Sequence, residues 1–403
     1  MTRRMSLGLF PLGHGHNVGS WRTPAAQADD LLGIDYYVNL ARLCERGTFD
    51  MIFFAEILYS YEQNERHCGQ LAYPTLDPVV LIAALAAATE RLGLVATYST
   101  TYTEPEATAA KFATVDRLSG GRAGWNIVTT GADQSAHNFS RRDHPEREAR
   151  YARAQDYVDR ARALWRSWPS SPQKRPVLIQ AGMSPFGRAF AANVAEVMFT
   201  VSRAIEDGRK FRDDIRSAVA ERGRDPDQVK VLPGIAPILG STVAEAKAKE
   251  TAFFDLVHPR IQMALLCDQF GIDFSRYDLD QPLPINDILK SPRVVSGARD
   301  PSRLVADVDG RTPTLGEYLR QSSRVRAHQS FVGTPEQLAD HMQDWFETGA
   351  CDGFNILPPV IPGEFELVID HLVPILRRRG LFRTEYPGTT LRDTLGLAPL
   401  TAA

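Results

Sequence analysis

The chain has 403 residues, 43% of them apolar and 24% charged, with a formal net charge of −3. That supplies a large buried core, and a charge balance so near neutrality offers no basic surplus for nucleic acid and no polybasic run for a membrane surface. Four scattered cysteines (Cys44, Cys68, Cys267 and Cys351) form no CxxC pair, which argues against a zinc site or disulfide framework and for reduced thiols in a cytoplasmic protein. The opening apolar stretch ends at Pro11, too short for a signal peptide, and no run is long enough to span a membrane.

Short apolar runs alternate with longer amphipathic ones along the chain. Residues 7–10 read as a first strand, and 35–46 as a helix with Tyr36, Leu40 and Leu43 at helical spacing. Residues 49–55 form a second strand, apolar on both faces. Helix 78–89 leads to strand 92–99, helix 104–118 to strand 121–129, and helix 146–168 to strand 176–181. Helix 185–194, strand 197–201, helix 204–222, strand 229–238 and helix 243–256 follow. The pattern closes with helix 335–348, strand 353–357 and helix 364–379. Apolar strands separated by helices imply a parallel sheet covered on both sides. About eight such units favour a closed (β/α)8 TIM barrel over an open sheet, and Gly13-His14-Gly15-His16 does not supply the GxGxxG that an open dinucleotide-binding sheet needs after its first strand. The whole chain, 1–403, thus reads as one barrel domain. Residues 258–331 break the rhythm with prolines such as Pro259, Pro282, Pro284, Pro292 and Pro301 and are too long for a simple loop. They read as an insertion between strands 7 and 8, laid over the carboxyl ends of the strands where barrel active sites sit. The tail, 382–403, is irregular.

Residues just past the strand ends are therefore the candidates for chemistry. His14, His16 and Asn17 follow strand one. Glu56 ends strand two, Thr97 and its hydroxyl-bearing neighbours end strand three, and Asn126 lies on strand four. A carboxyl group ending an apolar strand is costly unless it meets a polar mouth or a partner. After strand five, Ser184-Pro185 makes a capped helix start, and Gly187 lets backbone approach closely. Such a helix N-terminus suits a phosphate. The His14/His16 pair raises a metal-dependent hydrolase as a rival, but later strands contribute no further histidine, so no metal is expected.

Three stretches are distinctive: Glu45-Arg46-Gly47-Thr48-Phe49-Asp50 running on to Glu56, Ser119-Gly120-Gly121-Arg122-Ala123-Gly124-Trp125-Asn126-Ile127-Val128-Thr129-Thr130, and Gln180-Ala181-Gly182-Met183-Ser184-Pro185. With Val332-Gly333-Thr334-Pro335-Glu336, Asp352-Gly353-Phe354 and the closing Gly388-Thr389-Thr390-Leu391-Arg392, they cover nearly the whole chain. The sequence resembles the bacterial-luciferase-like flavin monooxygenases, in the branch of nitrilotriacetate monooxygenase component A and dibenzothiophene-sulfone monooxygenase. The resemblance implies a luciferase-like barrel that binds FMN as FMNH2, delivered by a separate NAD(P)H:FMN reductase. It implies O2 as co-substrate, a flavin C4a-(hydro)peroxide, a small-molecule substrate, and a homodimer or homotetramer. By position it assigns Glu56, Thr97 and Asn126 to the isoalloxazine, and Tyr151, Met183 and Ser184 to the ribityl phosphate end. Arg147 stands where many relatives have His, and is assigned to the phosphate. His14, His16 and Asn126 are the polar groups expected nearest the reacting edge.

Two departures stand out. Glu56 replaces an Asp common in relatives, and the connection between Trp168 and Pro176 lacks some tens of residues that relatives carry, expected near the mouth. The alternatives are a deazaflavin-dependent dehydrogenase on the same barrel and a degenerate barrel that binds flavin without turnover.

Overall fold

The computed structural model describes residues 3–26, 31–58, 76–168, 171–291, 312–322 and 328–400. Cys68 and residues 401–403 lie outside these, as do 292–311 and 323–327 of the expected insertion.

The strands are β1 Ser6–Leu9, β2 Met51–Phe54, β3 Gly93–Ser99, β4 Ala123–Val128, β5 Val177–Gln180, β6 Val197–Thr200, β7 Lys230–Leu239, β8 Gln329–Gly333 and β9 Gly353–Ile356. All pair in parallel. β1 through β7 follow in order, β7 pairs β9, and β9 pairs β1, closing an eight-stranded barrel. The ninth strand, β8, pairs with the upper half of β7. Because Ile235 is in register with both Gln329 and Ile356, β8 occupies the edge of β7 that β6 uses lower down. The expected insertion therefore contains a strand that its weak periodicity did not reveal.

The helices follow the 3.6-residue pattern closely. They are α1 Ile34–Arg46, α2 Pro78–Ala88, α3 Pro105–Leu118, α4 Arg147–Ser167, α5 Pro185–Val194, α6 Ile205–Ala220 and α7 Val243–Asp255. The insertion adds α8 Pro259–Phe270, α9 Ile285–Lys290 and α10 Leu315–Ser322. These bury Leu266, Phe270, Phe274, Leu315 and Tyr318 in a small core of their own, while Val257 and Ile261 pack with Val18 of the loop after β1. α11 is Pro335–Glu347. The last long helix, α12, runs from Gly363 to Arg378 with a π turn at Val368–Leu372, just where Pro374 removes a backbone donor. None of the described helices is long and apolar enough to cross a membrane.

Strand alternation sorts the core. Leu9, Ile52, Leu94, Trp125 and Leu178 face the helices, whereas Met51, Phe53, Val95, Ile179, Phe199 and Leu232 fill the barrel. The same interior cluster includes Leu391, Leu395 and Leu397 of the tail. A Cβ on Gly93 or Gly124 would lie 2.3 or 3.2 Å from a Leu391 methyl carbon, so α13 Leu391–Thr394 plugs the amino ends of the strands. Arg392 donates to Glu196 at 2.7 Å, and Arg175 grips the same carboxylate at 2.8 and 3.0 Å. Burial raises the Glu196 carboxyl, but the two guanidinium groups override it and hold the group down at about 2.

The shortened connection before β5 belongs to this closed end, which corrects the expectation that it shapes the mouth. A helix-to-strand link in a parallel barrel must return to the amino ends of the strands. Gln173 donates to Asp116 at 2.5 Å and to the Ala123 carbonyl at 2.8 Å, and accepts from the Arg392 amide at 3.3 Å. Its neighbour Ser171 also bonds Asp116.

Candidate active site

With one end plugged, the carboxyl ends of the strands form the open mouth. Thr97 and Asn126 are register partners on β3 and β4, both 3% exposed. Trp125 and Ile127 turn to the helices, so Asn126 turns inward. Its Nδ2 donates to Thr97 Oγ1 at 2.9 Å, and its Oδ1 is buried without a partner among the described residues. A buried amide oxygen left unpaired costs on the order of 1–3 kcal/mol, which marks it as an acceptor awaiting a donor.

The rim above this pair is tightly bonded. Ser99 Oγ lies 2.5 Å from Thr130 Oγ1 and accepts from the Thr101 amide at 3.1 Å. Arg150 donates to the Thr129 carbonyl at 3.0 Å and also to that of Thr130. Its Nη1 reaches His144 Nε2 at 2.7 Å, and His144 Nδ1 lies 2.5 Å from Tyr102 Oη. Arginine only donates, so His144 Nε2 must accept and its Nδ1–H donates to Tyr102. Burial and then Arg150 lower the His144 pKa, keeping the ring neutral. No spacing in the sequence links these three residues.

On β5 the predicted turn forms. Ser184 caps α5 by accepting from the Gly187 amide at 3.1 Å, and Met183 Sδ accepts from the Val201 amide at 3.1 Å. A Cβ on Gly182 would stand 2.8 Å from Tyr151 Oη and 3.1 Å from the Gly187 Cα. The structure therefore brings Tyr151, Met183 and Ser184 to one bare backbone turn, with Tyr151 stacked on Phe186 at 6.3 Å. Arg147 opens α4, one turn before Tyr151, and is exposed there.

The barrel floor beneath the mouth is aromatic. Phe10 stacks on Phe53 at 4.8 Å and meets Phe199 edge-on at 5.3 Å. His328, just before β8, lies flat on Phe199 with ring centroids 5.0 Å apart. Burial, then the Arg203 guanidinium, push the His328 imidazole down to about 4. The two histidines after β1 divide. His16 Nε2 is 2.7 Å from the Phe10 carbonyl, and its ring is 5.3 Å from that of Phe10. His14 is buried edge-on against Tyr36 of α1 at 6.1 Å, so only His16 touches the floor. Glu56 follows β2, bonded to the Ser99 backbone and within electrostatic reach of Asp77 and Lys111, and burial followed by Asp77 raises its carboxyl to about 7.

Above the floor a cavity of about 380 Å³ opens between β7, β8 and the insertion, lined by Asn17, Ala236, Ile238, Phe254, Arg320 and Ser330 among others. Ala236 belongs to the interior cluster, so the cavity continues the mouth. Its walls mix apolar surface with a few polar groups, as small-molecule sites do.

The luciferase-like monooxygenase family model matches residues 16–352 of this chain. The chain belongs to that family. It is 40% identical to N-acetyl-S-(2-succino)cysteine monooxygenase of Bacillus subtilis, over 98% of this chain and 97% of that protein. It is 37% identical to nitrilotriacetate monooxygenase component A of Aminobacter aminovorans, again over 98% and 97%. Among solved structures, a riboflavin lyase with modified FMN and riboflavin superposes with a TM-score of 0.83 at 28% identity, over 98% of this chain and 97% of that one. These relatives make the protein an enzyme of the luciferase-like, flavin-dependent monooxygenases, and the closed parallel barrel expected from the sequence is the one observed.

Proposed function

We propose that this chain is the oxygenase component of a two-component system, taking reduced FMN from a separate reductase and transferring one atom of O2 to a small organic substrate. The observation that carries the reading is the inward, unpartnered Asn126 Oδ1 in a mouth where the adjacent strand, β5, leads into a bare helix N-terminus at Gly182–Gly187. The first suits an N–H of a flavin ring, and the second suits a phosphate. Asn126 and Thr97 would hold the ring, and Tyr151, Met183 and Ser184 the phosphate end, with Arg147 supplying charge from the first turn of α4. Bound reduced FMN supplies the electrons that activate O2.

The chain's own residues bind, orient and dry the site. The Phe10–Phe53–Phe199 floor excludes water from below, and the bonded rim fixes the wall that carries Asn126. His16 is the histidine positioned to donate or accept a proton over the floor. The 380 Å³ cavity is the acceptor pocket in this reading.

Titration with oxidised and reduced FMN, followed by rapid mixing with oxygenated buffer, tests the proposal. Saturable binding of reduced FMN, with reoxidation much slower than that of the free flavin, is the expected result. Reoxidation at the free rate, or tight binding of a deazaflavin with no O2 consumed, would count against it.

A further inference from the structure

Arg150 and His144 join two parts of the mouth. Arg150 lies on α4 next to Tyr151, and its side chain reaches back to the end of β4, the strand that carries Asn126. One nitrogen, Nη1, meets the Thr129 carbonyl at 3.0 Å, the Thr130 carbonyl, and His144 Nε2 at 2.7 Å. His144 belongs to the stretch that leads from β4 into α4, so these contacts staple the stretch to both of its neighbours. The other ring nitrogen, Nδ1, is 2.5 Å from Tyr102 Oη, and Tyr102 is stacked on Phe139 at 4.6 Å. The His144 side chain is 7% exposed and Arg150 is 8% exposed, so water competes little for these bonds.

The guanidinium decides what His144 must be. It has only hydrogens to offer, so Nη1 needs an acceptor at each contact. A neutral imidazole protonated at Nδ1 supplies one at Nε2. A protonated ring instead puts a hydrogen on Nε2 and a second positive charge 2.7 Å from Arg150. The groups facing the ring are Arg150 from α4, Asp133 and Glu146 from the stretch itself, and Tyr102 from the loop after β3. Arg141 lies beyond Tyr102, and Arg147 beyond Arg150. Asp133 offers a counter-charge at 4.0 Å, but it is 89% exposed, and exposed pairs are worth little. Burial and Arg150 prevail, so His144 takes its proton only below the ordinary 6.5.

We propose that His144 is a positioning residue for the cofactor, which rests on the flavin reading of the mouth. Its neutral ring holds Arg150 on the Thr129 and Thr130 carbonyls. That locks α4, with Arg147 and Tyr151, to the end of β4, with Asn126. A ligand that touches both elements then finds them already in place, without the cost of ordering them. Protonation of His144 sets two cations against each other, releases Arg150 and frees the first turn of α4 from β4. The clamp itself is present in the flavin-free protein.

Binding of oxidised FMN to the whole protein and to its His144→Gln and His144→Leu variants, with nitrogen NMR of ¹⁵N-histidine-labelled flavin-free protein, tests it. Gln has an oxygen that accepts from Arg150 and carries no charge at any pH, whereas Leu has no acceptor. At pH 7.5 the Gln protein should bind FMN within about twofold of the wild type, and the Leu protein about tenfold more weakly. Below the His144 midpoint read by NMR, wild-type affinity should fall about fivefold further than that of His144→Gln. Comparing the two proteins at each pH cancels the titration of the FMN phosphate itself, whose second pKa is about 6. The wild-type ring should be neutral at pH 7.5, with its proton on Nδ1 and Nε2 an acceptor. A proton on Nε2, a Leu protein that binds FMN as the wild type does, or a Gln protein as weak as the Leu protein overturns the proposal. If the Leu protein fails to fold, the pH curves decide, and identical curves for wild type and Gln overturn it. If His144 stays neutral until the protein unfolds in acid, the difference between Gln and Leu decides. If FMN binds to none of the three, the flavin reading has failed, and the His144 nitrogen shifts still show whether the clamp stands.

Discussion

Asn126 and Glu56 are both polar residues set on or just past apolar strands, and the structure gives them different surroundings. Asn126 turns into the barrel with an unpaired oxygen. Replacing it with Leu removes a buried unsatisfied group while deleting a ligand contact, so Asn126→Leu should raise the Tm of the flavin-free protein and weaken FMN binding by tenfold or more, about 1.4 kcal/mol. Flavin fluorescence and thermal unfolding on the same samples check both halves. Glu56 has its carboxyl raised from 4.5 to about 7 by burial and Asp77. The folded state therefore binds this proton more tightly than the unfolded chain does. Stability is full below pH 4.5, falls as pH rises toward 7, and is flat above, a span of about 3 kcal/mol. Glu56→Gln should flatten that slope, gaining stability over the wild type at pH 8 and little at pH 4. Denaturant titrations at the two pH values measure it, and equal gains at both would show that Glu56 ionises at its ordinary value.

Among elements, α5 and the turn before it form the proposed phosphate site. Ser184 and Pro185 stand where a cap and a first helical position want them, which is why this turn could be read from the sequence. Gly182 is there for space. A methyl group would press on Gln180 Nε2 at 2.4 Å and Tyr151 Oη at 2.8 Å, so Gly182→Ala should push Tyr151 away and weaken FMN binding by about tenfold with little loss of fold. An unchanged Kd would remove Tyr151 from the cofactor site. β8 shows the opposite case. Gln329–Gly333 is short and has a mixed burial pattern, so neither period 2 nor a turn signal marks it. Its strand character comes from the free upper edge of β7, a tertiary partner.

For the whole molecule, stability and function sit at opposite ends of the barrel. The closed end holds the tail by two buried ion pairs: Arg392–Glu196 at 2.7 Å, with side chains 4% and 6% exposed, and Arg383–Asp50 at 2.7 Å, 6% and 0% exposed. Breaking one partner leaves a buried charge, so Arg383→Leu should cost about 3–5 kcal/mol in chemical unfolding. FMN affinity of the fraction still folded should be unchanged, because Asp50 lies at the foot of β2 and the mouth at its head. A parallel loss of affinity would show that the two ends are coupled.

The sequence by itself determined the barrel, its helices and the residues at the strand ends, because periods of 2 and 3.6 are local and follow from side-chain burial on a single element. It also determined the capped turn before α5, whose Ser184 and Pro185 act within a few residues. Only the tertiary structure decided which of two neighbouring histidines touches the floor, that Asp77 comes close enough to raise the Glu56 carboxyl, and that His328 lies on Phe199. It likewise decided that residues 171–175 lie at the closed end. Such meetings are set by barrel closure, which pairs strands through backbone hydrogen bonds indifferent to side-chain identity. A residue's partner across the barrel is therefore written nowhere near it in the chain.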